Sequence, residues 1–240
     1  MTQQDVVRDA GAGSRRDARQ ERADAGEPPG WPGWAALAGM GLGGFAILTW
    51  VVASRMPIFF DQPLLDAAHN LGAYMPLWQG LSDAANLPLI AIGVGIVVWL
   101  LLAHRRREAV LVILVLAAVT AGSEAVKELV ARPRPPGFDT SIPGVVYSYP
   151  SGHVLEALTI YGMIAIFLFR SSLPRPVRIG LPIVFTLIVV LVAVARVAVN
   201  AHYPSDVLAG FLGGLGCLGL FGQLSHVVAD RRSAPSRAAA

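Results

Sequence analysis

Charged residues are scarce in this sequence. They make up 15% of its 240 residues, whereas soluble domains carry about 25%. Apolar residues account for 54%, and the mean hydropathy is +0.56. The composition therefore indicates a membrane protein, and the length fits one compact unit better than two domains.

Cysteine and lysine are almost absent. The single cysteine, Cys217, lies in an apolar stretch. Because one cysteine cannot form a disulfide within the chain, the cysteine content does not indicate the redox compartment of the protein. Lys127 is the single lysine among 19 basic residues, and the arginines are spread along the chain. The net charge of +3 therefore predicts no nucleic-acid surface.

Residues 1–30 differ from the rest because they are polar and mixed in charge. They predict a disordered tail. The first apolar run begins too late, after too long and too acidic a region, for a cleavable signal peptide. We expect a disordered cytoplasmic tail at 1–30, a membrane domain at 31–228 and a short cytoplasmic tail at 229–240.

Six apolar segments predict the fold. Each approaches the ~20 residues that cross ~30 Å of hydrocarbon as a helix, and each is apolar around its circumference. They lie at about 33–53, 87–103, 109–126, 154–170, 179–199 and 207–227. The fold class is therefore all-α, a bundle of six transmembrane helices. Glycines in the last segment predict close packing between helices: Gly213, Gly214 and Gly216.

Basic residues orient this bundle. Arginines concentrate in the N-terminal tail and after the second, fourth and sixth segments, so the positive-inside rule places that side in the cytoplasm. Both termini are then cytoplasmic, and loops at about 54–86, 127–153 and 200–206 face outwards. Four of the five basic residues outside lie in two short stretches near histidines. Snorkelling anchors at helix ends are the alternative interpretation.

Three stretches on the predicted outer side carry candidate functional residues, and the first of them places cations at a helix end. Lys127 ends the third segment, and the proline after Arg132 ends the helix and favours an extended Arg132. Arg134 follows. An arginine fork binds two phosphoryl oxygens at once, and a lysine acts as a point charge. Alternatively, Lys127 pairs with Glu124 or Glu128 at helical spacing.

The second stretch, Ser151-Gly152-His153, stands where the fourth helix begins. Ser151 is a good N-cap, and the free N–H groups of a first helical turn can hold an anion. Gly152 allows close approach of the backbone. His153 projects from the same turn. Taken alone, these residues also fit ordinary helix-start chemistry.

The third stretch contains Arg196, His202 and Asp206. His202 and Asp206 are four residues apart and share a helix face, and Pro204 fits a first turn. An Asp that accepts from one imidazole nitrogen raises the basicity of the other. A buried His–Asp pair that only holds a helix end is the alternative. All three stretches lie on the predicted outer side, and together they predict a phosphoryl-transfer site.

The three stretches resemble the signature of the type 2 phosphatidic acid phosphatase (PAP2) family. That signature reads Lys, six residues, Arg-Pro; then Pro-Ser-Gly-His; then Ser-Arg, five residues, His, three residues, Asp. In this sequence the motifs lie at 127–135, 150–153 and 196–206. Ala195 replaces the usual serine, which removes one hydroxyl but no charge. The resemblance covers about 34–227.

The resemblance implies a role for each matched residue. His202 attacks phosphorus and forms a phosphohistidine, and Asp206 orients it. His153 protonates the leaving oxygen and then activates water. The phosphoryl oxygens are held by Lys127, Arg134, Ser151, Gly152 and Arg196. No metal or other cofactor is implied, and the outer loops lack a carboxylate cluster suited to Mg²⁺.

The resemblance implies a lipid phosphate phosphatase of the bacterial inner membrane, and the distribution of arginines predicts that its active site lies on the extracytoplasmic side. Its partners are a lipid phosphate and membrane lipids. Polyprenyl (undecaprenyl) diphosphate is the favoured substrate, with phosphatidylglycerophosphate or phosphatidate as alternatives. A phosphotransferase to an acceptor other than water is a second class of function. A non-catalytic lipid-binding protein is a third, and Ala195 is its only support.

Two connecting segments carry further expectations. The loop 54–86 predicts amphipathic helices at the membrane surface, with Trp78 as an interfacial anchor. His69 in this loop is either a substrate contact or, more simply, a surface residue. The stretch 136–149 either gates lipid entry or serves as an ordered linker.

Overall fold

The structure, a computed structural model, describes residues 31–70, 74–84, 86–138 and 146–233. These ranges are helical apart from their connections, in which Pro133 and Tyr147 form an isolated antiparallel bridge. The helices are α1 Trp31–Ala53, α2 Asp61–His69, α3 Met75–Ala84, α4 Asn86–Leu102, α5 Arg106–Val130, α6 Gly152–Phe169, α7 Arg175–Ala198 and α8 Pro204–Ser233. The tail predicted to be disordered, 1–30, lies outside the described residues.

The predicted bundle of apolar helices is confirmed. In the described ranges, α1, α5, α6, α7 and α8 are long and apolar enough to cross a membrane, and α4, with 17 residues, is the short sixth helix. The prediction was too short for α5, which has 25 residues instead of the 18 at 109–126. Charged residues occupy both of its ends, so the apolar run alone does not reveal them. α8 likewise extends to Ser233, into the segment expected to be a tail.

The loop between α1 and α4 forms two helices, α2 and α3, as predicted. Asp61, at the start of α2, packs against the start of α8. It is 6% exposed, and its carboxylate bonds to the backbone and hydroxyl of Ser205 at the start of α8. The position of α2 and α3 at a membrane surface stays a prediction.

Small residues let α1 and α8 approach backbone to backbone. A methyl group placed on Gly41 would lie 2.4 Å from the Gly216 nitrogen, and one on Gly219 would lie 2.4 Å from the Ala38 nitrogen. The predicted packing role of Gly216 is therefore confirmed, as are those of Gly213 and Gly214. Methyl groups at those two glycines would lie 3.0 Å and 2.9 Å from leucine side chains of α6.

We expect Gly41→Ala to destabilise the protein by about 1–3 kcal/mol, because α1 or α8 must move to admit the methyl group. Gly39→Ala is the matched control. Gly39 lies on the exposed face of α1, and a methyl group there meets nothing within 4 Å. Since alanine is the better helix former by about 1 kcal/mol, this control should be neutral or stabilising. Thermal unfolding in one detergent measures both, and equal melting temperatures would contradict the packing.

Candidate active site

The first motif divides between a helix and an extended segment. α5 ends where Ala131 adopts a left-handed conformation (φ 45°) and its N–H donates to the Lys127 carbonyl at 2.8 Å. The chain then continues extended through Pro133. Lys127 thus remains on the last turn of α5, while Arg132 and Arg134 come from the extended segment, as predicted.

Lys127 lies between a carboxylate and the start of α6. Its Nζ is 2.6 Å from the Glu124 carboxylate, so the alternative pairing predicted from helical spacing is confirmed. A methyl group placed on Gly152 would lie 3.6 Å from Nζ and 3.3 Å from Ser123 Oγ. The hydroxyls of Ser123 and Ser151 are buried and have no hydrogen-bond partner among the described residues. Two available hydroxyl donors and an ammonium therefore lie near the beginning of α6.

Ser151 is the N-cap residue of α6, as predicted, but its side chain makes no capping hydrogen bond. Its backbone N–H instead donates to the Asp206 carbonyl at 3.0 Å. Glycine permits this contact, because a methyl group on Gly210 would lie 2.8 Å from the Ser151 carbonyl oxygen. The hydroxyl therefore remains available, and α8 holds the turn in place.

A tight turn after α7 brings Arg196 and His202 together. Asn200 adopts a left-handed conformation (φ 56°), and the backbone N–H groups of Ala201 and His202 both donate to the Arg196 carbonyl at 3.1 Å. The Arg196 Nη2 then lies 3.5 Å from the His202 Nε2. Both residues are buried, with exposures of 8% and 2%.

The backbone sets the tautomer of His202. Its Nδ1 lies 2.6 Å from the carbonyl oxygen of Ser148. A carbonyl oxygen can only accept, so Nδ1 carries the hydrogen and donates it. Nε2 therefore holds the lone pair, and it is the nitrogen that faces Arg196.

The predicted pairing of Asp206 with His202 is present only as an electrostatic contact. Asp206 Oδ2 lies 3.7 Å from His202 Nδ1, outside hydrogen-bond distance. That oxygen accepts from the Tyr203 N–H at 2.8 Å, and Oδ1 accepts from Arg132 Nη1 at 2.5 Å. The predicted hydrogen bond from His202 to Asp206 is therefore not formed, because the Asp206 carboxylate bonds to Arg132 and the Ser148 carbonyl accepts from Nδ1.

The remaining predicted residues converge on the same end of the bundle. Arg134 donates from Nη1 to the Ala201 carbonyl at 2.6 Å, and its guanidinium lies over the Phe138 ring. His153 lies in the first turn of α6, within electrostatic range of four charged or ionisable groups. These groups are Lys127, Arg134, Arg196 and His202. The fold thus assembles three motifs that are far apart in the sequence.

Burial lowers the pKa of His202 to about 4, against the opposing effect of the Asp206 carboxylate. The imidazole is therefore neutral at pH 7, as a nucleophile must be. In the unfolded chain it titrates near 6.5. The neutral ring thus contributes stability that is present above pH 6.5 and is lost as the pH falls towards 4.

We expect wild type to lose more stability than His202→Asn between pH 7 and pH 4, by up to about 3 kcal/mol. Asparagine cannot titrate, so the comparison removes the contribution of the carboxyl groups common to both proteins. Thermal unfolding of both proteins across this range measures the difference. Parallel pH curves would show that His202 is not held neutral by burial.

Three contributors were missed from the sequence: Ser148, Ser205 and Asp61. Ser148 acts through a backbone carbonyl, which any residue type supplies. Asp61 contacts Ser205 across 144 positions of the chain, and no motif spacing reports such a contact. Arg132 was predicted to be extended, but the sequence does not connect it with Asp61.

A cavity of about 230 Å³ borders the extended segment. It lies between the end of α1, Arg132 of the extended segment and Tyr203 before α8, and Arg55 also lines it. In the part of the chain that the structure describes, no three His, Cys, Asp or Glu side chains are grouped closely enough to hold a metal ion. The expectation of a metal-free reaction stays a prediction.

Comparison with known proteins identifies relatives for this arrangement. The sequence profile of the PAP2 superfamily matches residues 108–228. Phosphatidylglycerophosphatase B of Bacillus subtilis (strain 168) is 33% identical over 135 residues, which cover 54% of this chain and 62% of that protein. The match thus spans less than two thirds of the relative's length.

Two solved structures are similar in fold. A transmembrane PAP2 type phosphatidylglycerolphosphate phosphatase from Bacillus subtilis aligns with a TM-score of 0.61 and 22% identity, covering 83% of this chain and 100% of that one. Aquifex aeolicus LpxE aligns with a TM-score of 0.52 and 18% identity, covering 69% and 96%. Together with the apolar helices, these matches show a multi-pass membrane protein.

Proposed function

Because the chain belongs to the PAP2 superfamily, we propose that it is an integral membrane phosphatase that releases phosphate from a lipid phosphate or diphosphate. One observation carries the proposal. The buried His202 has its Nδ1–H committed to a carbonyl, and its Nε2 lone pair faces the cation of Arg196. That is the arrangement of a nucleophile beside an anion site.

In the first step, the Nε2 lone pair of His202 forms a bond to phosphorus while the bond from phosphorus to the lipid oxygen breaks. The leaving oxygen takes a proton from His153. The product is a phosphohistidine and a lipid alcohol, or a lipid monophosphate when the substrate is a diphosphate. Asp206, 3.7 Å from Nδ1, stabilises the positive charge that develops on the ring.

In the second step, water attacks the phosphohistidine. His153, now neutral, takes a proton from that water, the N–P bond breaks, and inorganic phosphate leaves. The electron pair returns to Nε2 of His202. Throughout, Lys127, Arg134 and Arg196 neutralise the phosphoryl oxygens, and the hydroxyl of Ser151 with the Gly152 N–H can donate to them.

The names of the relatives bear on the choice of lipid. Phosphatidylglycerophosphatase B and the solved Bacillus subtilis phosphatase act on phosphatidylglycerophosphate by their names. We therefore propose this lipid as the first candidate. Polyprenyl diphosphate, favoured from the sequence, is the second candidate and gains no support from these relatives. Phosphatidate completes the set to be compared.

Phosphate release by the purified protein tests both the reaction and the lipid. Phosphatidylglycerophosphate, undecaprenyl diphosphate and phosphatidate are compared in one detergent with EDTA. We expect EDTA-resistant release, fastest with phosphatidylglycerophosphate. Faster release from undecaprenyl diphosphate would reverse the assignment of substrate. Transfer of labelled phosphate to an added alcohol in place of water would identify a phosphotransferase.

The site is proposed to face the extracytoplasmic side, with both termini in the cytoplasm, because arginines concentrate at the opposite end of the bundle. Two matched cysteines test this after Cys217→Ala. Ser54→Cys lies exposed between α1 and α2, and Ser172→Cys lies exposed between α6 and α7. An impermeant thiol reagent added to intact cells should label only the first, and the reverse pattern would invert the topology.

A further inference from the structure

Arg132 connects two carboxylates on different helices. Its Nη1 donates to Asp206 Oδ1 at 2.5 Å and to Ser205 Oγ at 2.7 Å. Its Nη2 donates to Asp61 Oδ2 at 2.7 Å. Burial lowers the pKa of Arg132, but the two carboxylates outweigh this effect and raise it overall. The guanidinium therefore stays charged and holds Asp206 in its observed orientation.

Asp61 also contacts the first turn of α8 directly, through Ser205. Its Oδ1 accepts from the Ser205 N–H at 2.8 Å, and its Oδ2 also accepts from the Ser205 hydroxyl at 2.7 Å. That N–H belongs to the first turn of α8, where backbone donors have no partner within the helix. The Asp61 carboxylate thus acts as a cap supplied by another helix.

This network reaches the nucleophile through Asp206. One carboxylate oxygen of Asp206 is occupied by Arg132, and the other accepts from the Tyr203 N–H. Both contacts keep the carboxylate 3.7 Å from His202 Nδ1 and leave that N–H to the Ser148 carbonyl. Without Asp61, Arg132 loses one of its two charged partners, so the guanidinium that holds Asp206 is no longer fixed from its other side.

We propose that Asp61 is a positioning residue for catalysis. From α2 it holds Arg132 and the first turn of α8, and through Asp206 it sets the orientation and basicity of His202. This inference rests on the proposed function of the same site. It also assigns α2 a role besides its predicted position at the membrane surface, because the first residue of α2 helps to orient the nucleophile through Arg132 and Asp206.

Asp61→Asn keeps the shape of the side chain and removes its charge. We expect kcat to fall about 10–100-fold, as for other supporting residues behind a reactive group, with KM changed less than threefold because Asp61 contacts none of the proposed phosphate-binding residues. Asp61→Glu should restore part of the loss. Asp66→Asn is the matched control, since this exposed carboxylate of α2 bonds, among the described residues, only to Gln62 Nε2 at 2.7 Å; it should leave kcat unchanged.

A measurement without turnover separates this inference from the proposed function. The chain has five histidines, and ¹⁵N-histidine labelling, assigned with His202→Asn, reports the protonation and hydrogen bonding of His202. Asp61→Asn should shift the His202 resonances, and Asp66→Asn should not. An inactive wild type would overturn the proposed function but leave this readout in place. Unshifted resonances, or a kcat for Asp61→Asn equal to that of wild type, would overturn the positioning role.

Discussion

His202→Ala is expected to lower kcat for phosphate release by about 10⁴-fold or more, the size of effect seen when a nucleophile is removed from an enzyme. The reason lies in the tautomer. The Ser148 carbonyl commits Nδ1 to carry a hydrogen, so Nε2 is the ring nitrogen that can attack phosphorus. Alanine offers no atom there, and water would have to attack a lipid phosphate directly.

The control for this variant is a histidine at another place in the bundle. His226 in α8 accepts from Trp34 Nε1 at 3.1 Å. His226→Ala removes a half-buried imidazole of the same kind and should retain kcat. Both variants are compared with wild type for phosphate release and for melting temperature in detergent. Activity of His202→Ala above one hundredth of wild type would remove His202 from the role of nucleophile.

His153→Ala is expected to separate the two chemical steps. With a lipid phosphate, the leaving oxygen needs a proton from His153, and we expect a loss of about 10²–10⁴-fold in kcat. With an aryl phosphate whose leaving group has a low pKa, formation of the phosphohistidine no longer needs that proton. Hydrolysis of the phosphohistidine still needs a base to activate water, so this intermediate should accumulate in His153→Ala.

The expected observation is a burst of the phenol product, one equivalent per active site, followed by slow turnover, with labelled phosphate bound to the protein. The variant with both His153→Ala and His202→Ala tests the origin of the burst and should show none. A burst that persists in the double variant would place the phosphoryl group on another residue. Unchanged turnover of the lipid by His153→Ala would exclude His153 as the proton donor.

The set of helices was largely predictable from the sequence, because a membrane-spanning helix is specified by the polarity of its own consecutive residues. A span needs a run of apolar residues and nothing else from the rest of the chain. The two helices of the 54–86 loop followed from their amphipathic pattern in the same way. The errors fell at helix ends, where α5 continues through charged residues that the apolar run does not include.

Motif spacing predicted which residues form the site and where they lie on the helices. The spacing placed Lys127, Ser151 and Arg196 at helix ends, and the structure brings those ends together. The spacing did not predict the hydrogen-bond partner of each side chain in the site. The expected bond from His202 to Asp206 followed from their separation of four residues, but that separation does not show which other acceptor or donor lies nearby.

What the sequence determined by itself, then, is the set of apolar helices, the positions of the three motifs and the glycines of α8 that pack closely against other helices. Only the tertiary structure decided that the Ser148 carbonyl holds His202, that Arg132 turns Asp206 away, and that Asp61 from α2 caps α8. The first set depends on the polarity and spacing of neighbouring residues. The second depends on hydrogen bonds between groups brought together from distant parts of the chain, and local periodicity carries no record of those pairings.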